Sequence, residues 1–389
     1  MARDFDIIVY GATGFTGRLV AEYLVQAGVP RWAMAGRSLT KLQEVRDLIG
    51  APADTPLLTA NADDPASVRA MCERTTVVLT TVGPYQLYGN DLVAACADTG
   101  TAYVDLCGEP AWMRDMIDKH HARAAQTGAR IVFSCGFDSI PFDLGVLTLQ
   151  EAAKARFGRP CPRVKCRVRT MKGGFSGGTA ASLKATLAAA ARNPSIIALL
   201  TNPFALAPGF TGPAQPSGLL PEYDRTIEAW TAPFIMAPIN TKNVHRTNFL
   251  LGQSYGADFV YDEMMVAGLG DMGKAAAEAI AKINPLASDK GPKPGEGPSK
   301  EERESGHYDI LFVGDMGGGS GGGERIDAVV TGDKDPGYGS TSKMIAEAAL
   351  CLVHDVPDAK GGIWTPGAIM GAPLRQRLID KAGLTFTAE

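Results

Sequence analysis

The sequence predicts an α/β chain, with a doubly wound parallel sheet at the amino terminus and a second α+β domain built on a mixed or antiparallel sheet. Three observations carry that expectation. Short apolar runs alternate with amphipathic stretches up to about residue 135. A G-x-x-G-x-x-G turn joins the first run to the first such stretch. Beyond residue 140 the strand-helix rhythm gives way to alternating and alanine-rich segments, so the two domains are expected at 1–140 and 141–389, with the C-terminal segment free to pack back on the first.

Phe5-Asp6-Ile7-Ile8-Val9-Tyr10 reads as the first strand, and Gly11-Ala12-Thr13-Gly14-Phe15-Thr16-Gly17 as the turn into a helix that reaches Ala27. Glycine lets the backbone turn tightly and approach a pyrophosphate, while the N–H groups and positive dipole end of the helix face the phosphate charge. In this context the spacing reads as a Rossmann dinucleotide site; a plain strand-helix turn is the competing reading. The second strand, Arg31-Trp32-Ala33-Met34-Ala35, runs into Gly36-Arg37-Ser38. Where an NAD site carries an acid for the ribose 2′-hydroxyl, this chain carries a guanidinium and a hydroxyl. Arg37 offers a planar fork to a 2′-phosphate, with Ser38 and Lys41 assisting, and the expected cofactor is therefore NADP.

The third strand is Pro56 to Ala60, followed by a helix from Pro65; Asp63 between them is counted with the cofactor-binding positions, as are Val82, Gly83 and Pro84 at the end of the fourth strand, Thr76 to Val82. A helix from about Asn90 leads to two further strands, Ala102 to Leu106 and Arg130 to Ser134, which bracket a helix from Pro110 to Gln126. In the second domain Arg163 to Lys172 alternates like an antiparallel strand, Gly178 to Ala191 is an alanine-rich helix, and Asn243 to Ala267 reads as extended. Pro203 to Pro221 and Asp289 to Gly306 are rich in chain breakers and read as surface loops, the second a lid or spacer. Gly317 to Gly323 lacks the Lys-Ser/Thr ending of a P-loop and precedes a strand, so a hairpin tip is expected.

The 389 residues carry a net charge of −4 with no Lys/Arg-rich block, which gives no electrostatic case for nucleic acid. The seven cysteines include no C-x-x-C pair and the five histidines no H-x-x-x-H pair, so reduced thiols and no metal site are expected. No apolar run has the length of a membrane span, placing the chain in the cytoplasm with at most peripheral membrane contact through Trp230 to Ile239.

Candidate chemistry gathers at the carboxyl ends of the strands. Tyr85 follows Gly83-Pro84 and could donate a proton or serve only the turn. Cys107 and Glu109 follow the fifth strand, Glu109 reading equally as a dipole-compensating acid. Asp138 and Ser139 follow the sixth, and either could instead cap the next helix. Tyr85, Cys107 and Asp138 are taken as the catalytic set. None of the ten tyrosines has a lysine four residues on, which removes the short-chain dehydrogenase pattern.

Together Gly11 to Gly17, Gly36-Arg37, Gly83-Pro84-Tyr85, Asp105-Leu106-Cys107-Gly108-Glu109 and Gly136-Phe137-Asp138-Ser139-Ile140-Pro141 resemble the saccharopine dehydrogenase-like oxidoreductases. Pro292 to Ser299, Asp335-Pro336-Gly337-Tyr338 and Gly362-Ile363-Trp364-Thr365-Pro366 resemble the trans-acting enoyl reductase branch, which serves polyketide synthases. The resemblance implies an NADP-type Rossmann domain, a second α+β domain, and a cleft in which Gly173 to Thr179 faces the nicotinamide. Between Gly173 and Pro238 the only basic residues are Lys184, Arg192 and Arg225, whereas Leu199, Leu200, Phe204, Leu206, Phe210, Trp230, Phe234, Ile235 and Met236 supply apolar surface or core. That balance favours reduction of an activated C=C bond in a lipid-like or polyketide acyl substrate, which a synthase could carry. The alternatives are an imine or amino-acid oxidoreductase and a non-catalytic NADPH-binding scaffold. A homodimer is compatible with the sequence.

Overall fold

The computed structural model describes residues 3–173, 177–283, 296–317 and 324–389. In chain order the first part comprises β1 (Phe5–Tyr10), α1 (Phe15–Gln26), β2 (Trp32–Gly36), α2 (Leu39–Leu48), β3 (Leu57–Thr59), α3 (Pro65–Glu73), β4 (Thr75–Thr80), α4 (Tyr85–Tyr88), α5 (Asn90–Thr99), β5 (Ala102–Val104), α6 (Pro110–Thr127) and β6 (Arg130–Val132). Then follow α7 (Ile140–Phe157), β7 (Arg163–Lys172), α8 (Gly177–Arg192), α9 (Pro194–Thr201), β8 (Glu222–Asp224), β9 (Ala229–Pro233), α10 (Ala237–Leu250), β10 (Val260–Gly268) and α11 (Gly270–Ala281). The chain closes with α12 (Lys300–Ser305), β11 (His307–Asp315), β12 (Arg325–Gly332), α13 (Thr341–His354), β13 (Gly362–Trp364), α14 (Pro366–Ile369), α15 (Gly371–Arg377) and β14 (Leu384–Ala388).

The first sheet has the order β13-β6-β5-β4-β1-β2-β3, all parallel. It is doubly wound, and β1 lies at the point where the order reverses. Both faces are covered, which is why its strands read as continuous apolar runs. Ile7 and Val9 pack with α1 residues Val20 and Leu24, whereas Ile8 and Tyr10 face the opposite core with Val68 of α3 and Cys96 of α5. The seventh strand arrives from the C-terminal region, pairing Ile363 with Ile131 of β6.

The second sheet has the order β14-β12-β11-β7-β10-β9-β8 and is mixed: β7 and β10 run parallel and the remaining pairs are antiparallel. Helices α7 and α13 share one core with both sheets, joining Leu149 and Met344 to Ile7 on one side and Phe312 on the other.

Three expectations need correction, and a fourth, the hairpin tip, falls mostly outside the described residues. Residues 237–250 form α10, where an extended segment was expected from Asn243; apart from Ile239 and Val244 its buried positions are polar, so no apolar period marks it. Within the expected loop 289–306, residues 289–295 lie outside the described residues, and Lys300–Ser305 is helical, started by a capping box between Ser299 and Glu302. The Pro203 to Pro221 stretch is irregular, yet Phe204, Ala205, Leu206 and Ala207 are buried. Gly318 to Gly323 fall outside the described residues; β11 and β12 on either side pair antiparallel, with Asp315 opposite Arg325.

Candidate active site

Gly11 has φ +91°, and a side chain there would press on Val82 Cγ2 and Thr81 Oγ1. Its carbonyl accepts the Gly14 N–H at 2.9 Å and the Thr81 hydroxyl at 3.3 Å, and Gly17 packs directly over it. The first turn of α1 carries neither a capping side chain nor an acid, leaving the amides of Phe15, Thr16 and Gly17 open to an anion. A dinucleotide pyrophosphate fits this cradle. Ala12 is buried, and Phe15 packs edge-on against Tyr338 at 5.2 Å, with Arg303 of α12 over its ring.

Arg37 stands exposed at the tip of β2, with no hydrogen bond or ion pair to the described residues, so its fork is available to a 2′-phosphate. Ser38 caps α2 by accepting the Lys41 N–H at 3.4 Å. Asp63 is exposed beyond β3, within electrostatic reach of Tyr10, as is Arg37. Val82 donates its N–H to Thr80 Oγ1 at 3.2 Å, and Gly83 and Pro84 carry the chain to α4.

A cavity of about 830 Å³ extends from this edge of the first sheet into the second domain. Thr16, Gly83, Tyr85, Asp138, Lys242, His245, Glu263 and Tyr338 line it, together with apolar Leu200, Phe234, Ile235 and Met236. Its mouth lies at the exposed Leu219 and Ile235.

The three expected catalytic side chains separate here. The Tyr85 hydroxyl accepts the Leu106 N–H at 3.1 Å and donates to the Thr80 carbonyl at 3.5 Å, while burial pushes its pKa well above the usual phenol value. Both of these bonds tie the hydroxyl to the backbone around the turn. Cys107 is fully buried off the cavity wall, its Sγ accepting the Glu109 N–H at 3.3 Å, and burial raises its pKa well above the ordinary thiol value. Both residues were legible by position, but the direction of their side chains was not. Glu109 accepts the N–H groups of Tyr85 and Gln86, each at 2.9 Å, and so caps α4 rather than its own helix. Asp138 lines the cavity with no hydrogen-bond partner among the described residues, and desolvation pushes its pKa up to about 7. It does not cap α7, and the Ser139 hydroxyl accepts from Asn243 at 2.8 Å instead. Residues 174–176 and the side chain of Thr179 lie outside the described residues.

Sequence reasoning missed the wall supplied by α10 and β10. Lys242 donates to the carbonyls of Leu200 and Pro238, both at 2.9 Å, and burial lowers its pKa to about 8. His245 lies between Phe204 and Phe259; burial, and then the Lys242 charge, lower its pKa to about 3, so the ring is neutral. Glu263 accepts from Asn240 and Tyr261, each at 2.9 Å, yet burial keeps its pKa well above the carboxylate range. The one available signal was the string Asn240-Thr241-Lys242-Asn243-Val244-His245-Arg246-Thr247-Asn248, too polar for an ordinary core helix.

The saccharopine dehydrogenase NADP-binding domain family matches residues 7–132. A Mycobacterium tuberculosis protein provisionally named a trans-acting enoyl reductase is 43% identical over 405 residues, covering 97% of this chain and 96% of that one. The trans-acting enoyl reductase of Mycobacterium leprae is 37% identical over 407 residues, with the same coverage. Among solved structures, the apo saccharopine dehydrogenase (L-Glu forming) of Saccharomyces cerevisiae superposes with a TM-score of 0.54 at 11% identity, covering 99% of each chain, which is a likeness of fold.

Proposed function

The chain belongs to the family of the trans-acting enoyl reductases and is an NADP-dependent oxidoreductase, and from that premise we propose that it reduces the activated C=C bond of a lipid-like or polyketide acyl thioester delivered by a synthase. The observation that carries the reading is one continuous cavity, which runs from the open amides of α1 and Gly83 past Asp138 to an apolar wall of Leu200, Phe234 and Met236. When bound, NADPH supplies hydride to the β-carbon of the double bond.

The chain's own residues do the rest. Gly11 to Gly17 and Arg37 hold the charged ends of the cofactor, with Ser38, Asp63, Val82, Gly83 and Pro84 along its path. The apolar wall excludes water from the acyl chain. Asp138, desolvated and unpartnered, holds a proton at its carboxyl near neutral pH and passes it to the α-carbon. An amino-acid or imine substrate is disfavoured, because Lys242 is the only Lys or Arg among the described residues that line the cavity. A dicarboxylic amino acid would need more positive charge than that.

Steady NADPH oxidation with trans-2-enoyl pantetheine thioesters, and none with imines of 2-oxo acids, is the expected result; the reverse pattern overturns the reading. Replacing Arg37 by alanine should raise the KM for NADPH roughly 10- to 100-fold, the loss of one charge-assisted contact, and leave the KM for NADH nearly unchanged. Equal effects on both cofactors would show that Arg37 does not meet the 2′-phosphate.

Asp138→Asn keeps the shape of the carboxyl but has no transferable proton, so kcat should fall about 100-fold or more. The acid form must be present for donation, so wild-type kcat should hold below a pH of about 7 and fall as pH rises through it. A flat pH profile together with an active Asn variant would remove Asp138 from the chemistry.

A further inference from the structure

Lys242 is a buried cation without a counter-ion. The residue is 3% exposed, and no carboxylate among the described residues pairs with it. The ammonium rests on two neutral oxygens, the Leu200 carbonyl in the last turn of α9 and the Pro238 carbonyl one turn back in α10, each at 2.9 Å. The negative end of the α9 dipole at Leu200 helps to keep it charged. An ammonium has three N–H bonds, and two are accounted for. One turn further along α10, the His245 Nε2 is buried and has no hydrogen-bond partner. Both residues line the cavity, so α10 presents two unsaturated polar groups to whatever fills it. Burying a charge this incompletely solvated is costly unless a further acceptor completes its shell.

We propose that Lys242 is a catalytic residue that receives the substrate's carbonyl oxygen, its remaining N–H completed by the oxygen of the acyl thioester. This rests on the enoyl-thioester reading above. Arrival of hydride at the β-carbon moves the π electrons of the C=C–C=O unit toward that oxygen, which becomes enolate-like until a proton reaches the α-carbon. A fixed ammonium at the oxygen strengthens its contact as the charge grows. Neutral His245 adds no second positive charge to this wall.

The test uses the full-length chain with NADPH present. Probes are octanoyl-pantetheine thioester and S-octyl pantetheine thioether, which differ in the carbonyl oxygen, with trans-2-octenoyl-pantetheine for turnover. Wild type should bind the thioester more tightly than the thioether. Lys242→Met should lose that preference and lower kcat about 100-fold, the usual effect of removing one oxyanion donor, while NADPH affinity stays within about twofold. If Lys242→Met melts early, Lys242→Arg, which keeps the charge and the reach, should retain the thioester preference, and its complete loss overturns the proposal. Turnover and carbonyl preference both intact in Lys242→Met overturn it while the reduction reading stands. A wild type that prefers the thioester, loses this in Lys242→Met, and reduces no enoyl thioester leaves the carbonyl contact supported and overturns the reduction reading.

Discussion

Gly17→Val should abolish NADPH binding and destabilise the protein by about 3 kcal/mol, the upper range for forcing extra atoms into a packed site. A Cβ at position 17 would overlap the Gly11 carbonyl oxygen and stand 2.8 Å from Thr81 Oγ1. Neither neighbour can retreat. Gly11 is held at φ +91°, and its carbonyl receives both the Gly14 N–H and the Thr81 hydroxyl, so moving it breaks two bonds and displaces the first turn of α1. Gly14→Ala is the internal comparison: its added Cβ would lie 3.3 Å from the same oxygen, a contact that a small backbone shift relieves. NADPH fluorescence titration and thermal melting separate the two. Equal behaviour of the variants would refute the steric account.

Arg167→Met should cost about 3 kcal/mol, the low end for breaking a buried ion pair, because it takes the shared cation from two buried carboxylates and leaves Asp224 to Lys165 and Asp262 to Arg163. Arg167 is fully buried and donates to Asp224 Oδ2 and Asp262 Oδ2, both at 2.7 Å, tying β7 to β8 and β10; Lys165 reaches Asp224 as well at 3.0 Å. Burial alone would raise the pKa of Asp224, but the Arg167 charge and the hydrogen bonds from Lys165, the Thr226 N–H and Arg167 outweigh it and hold the group well below the carboxylate range. A group depressed in this way stabilises the fold above its unfolded pKa of about 4, and that contribution is lost as pH falls through the folded value. The difference between wild type and Arg167→Met should thus be full near neutral pH and shrink in acid, as Asp224 protonates more readily in the variant. Urea denaturation at about pH 7 and about pH 4 measures it. A difference that widens in acid would contradict the assignment.

The first sheet was legible because its chemistry is local. Ile7 to Tyr10 is apolar on both faces, the glycine turn adjoins it in sequence, and Arg37 ends the very next strand. The second domain was less so. The partners of β7 are β10 and β11, about a hundred or more residues away, and no periodicity within Arg163–Lys172 reveals that one pairing is parallel and the other antiparallel. Helix α10 escaped for a different reason. Several of its buried side chains bond to other side chains and the backbone, with Arg246 reaching the Ile363 carbonyl, Thr247 meeting Thr365, and Asn248 meeting Gln253, so polarity there marks an interior and not a surface. At the site, the positions of Tyr85, Cys107 and Asp138 at strand ends could be read from the sequence. Which of them turns toward open space depends on the backbone beyond each strand.

Strand β13 ties the two ends of the polypeptide into one event. The ribosome must release Gly362 to Trp364 before the edge of β6 can be covered, and α13, which packs against α1 and β4, emerges only shortly before. A nascent chain that has completed β1 to β6 therefore still exposes an open strand edge and the apolar face destined for α13 throughout the synthesis of the next two hundred or so residues. Closure of the first sheet is in this way placed late in biogenesis, after every strand of the second sheet but β14 has been made.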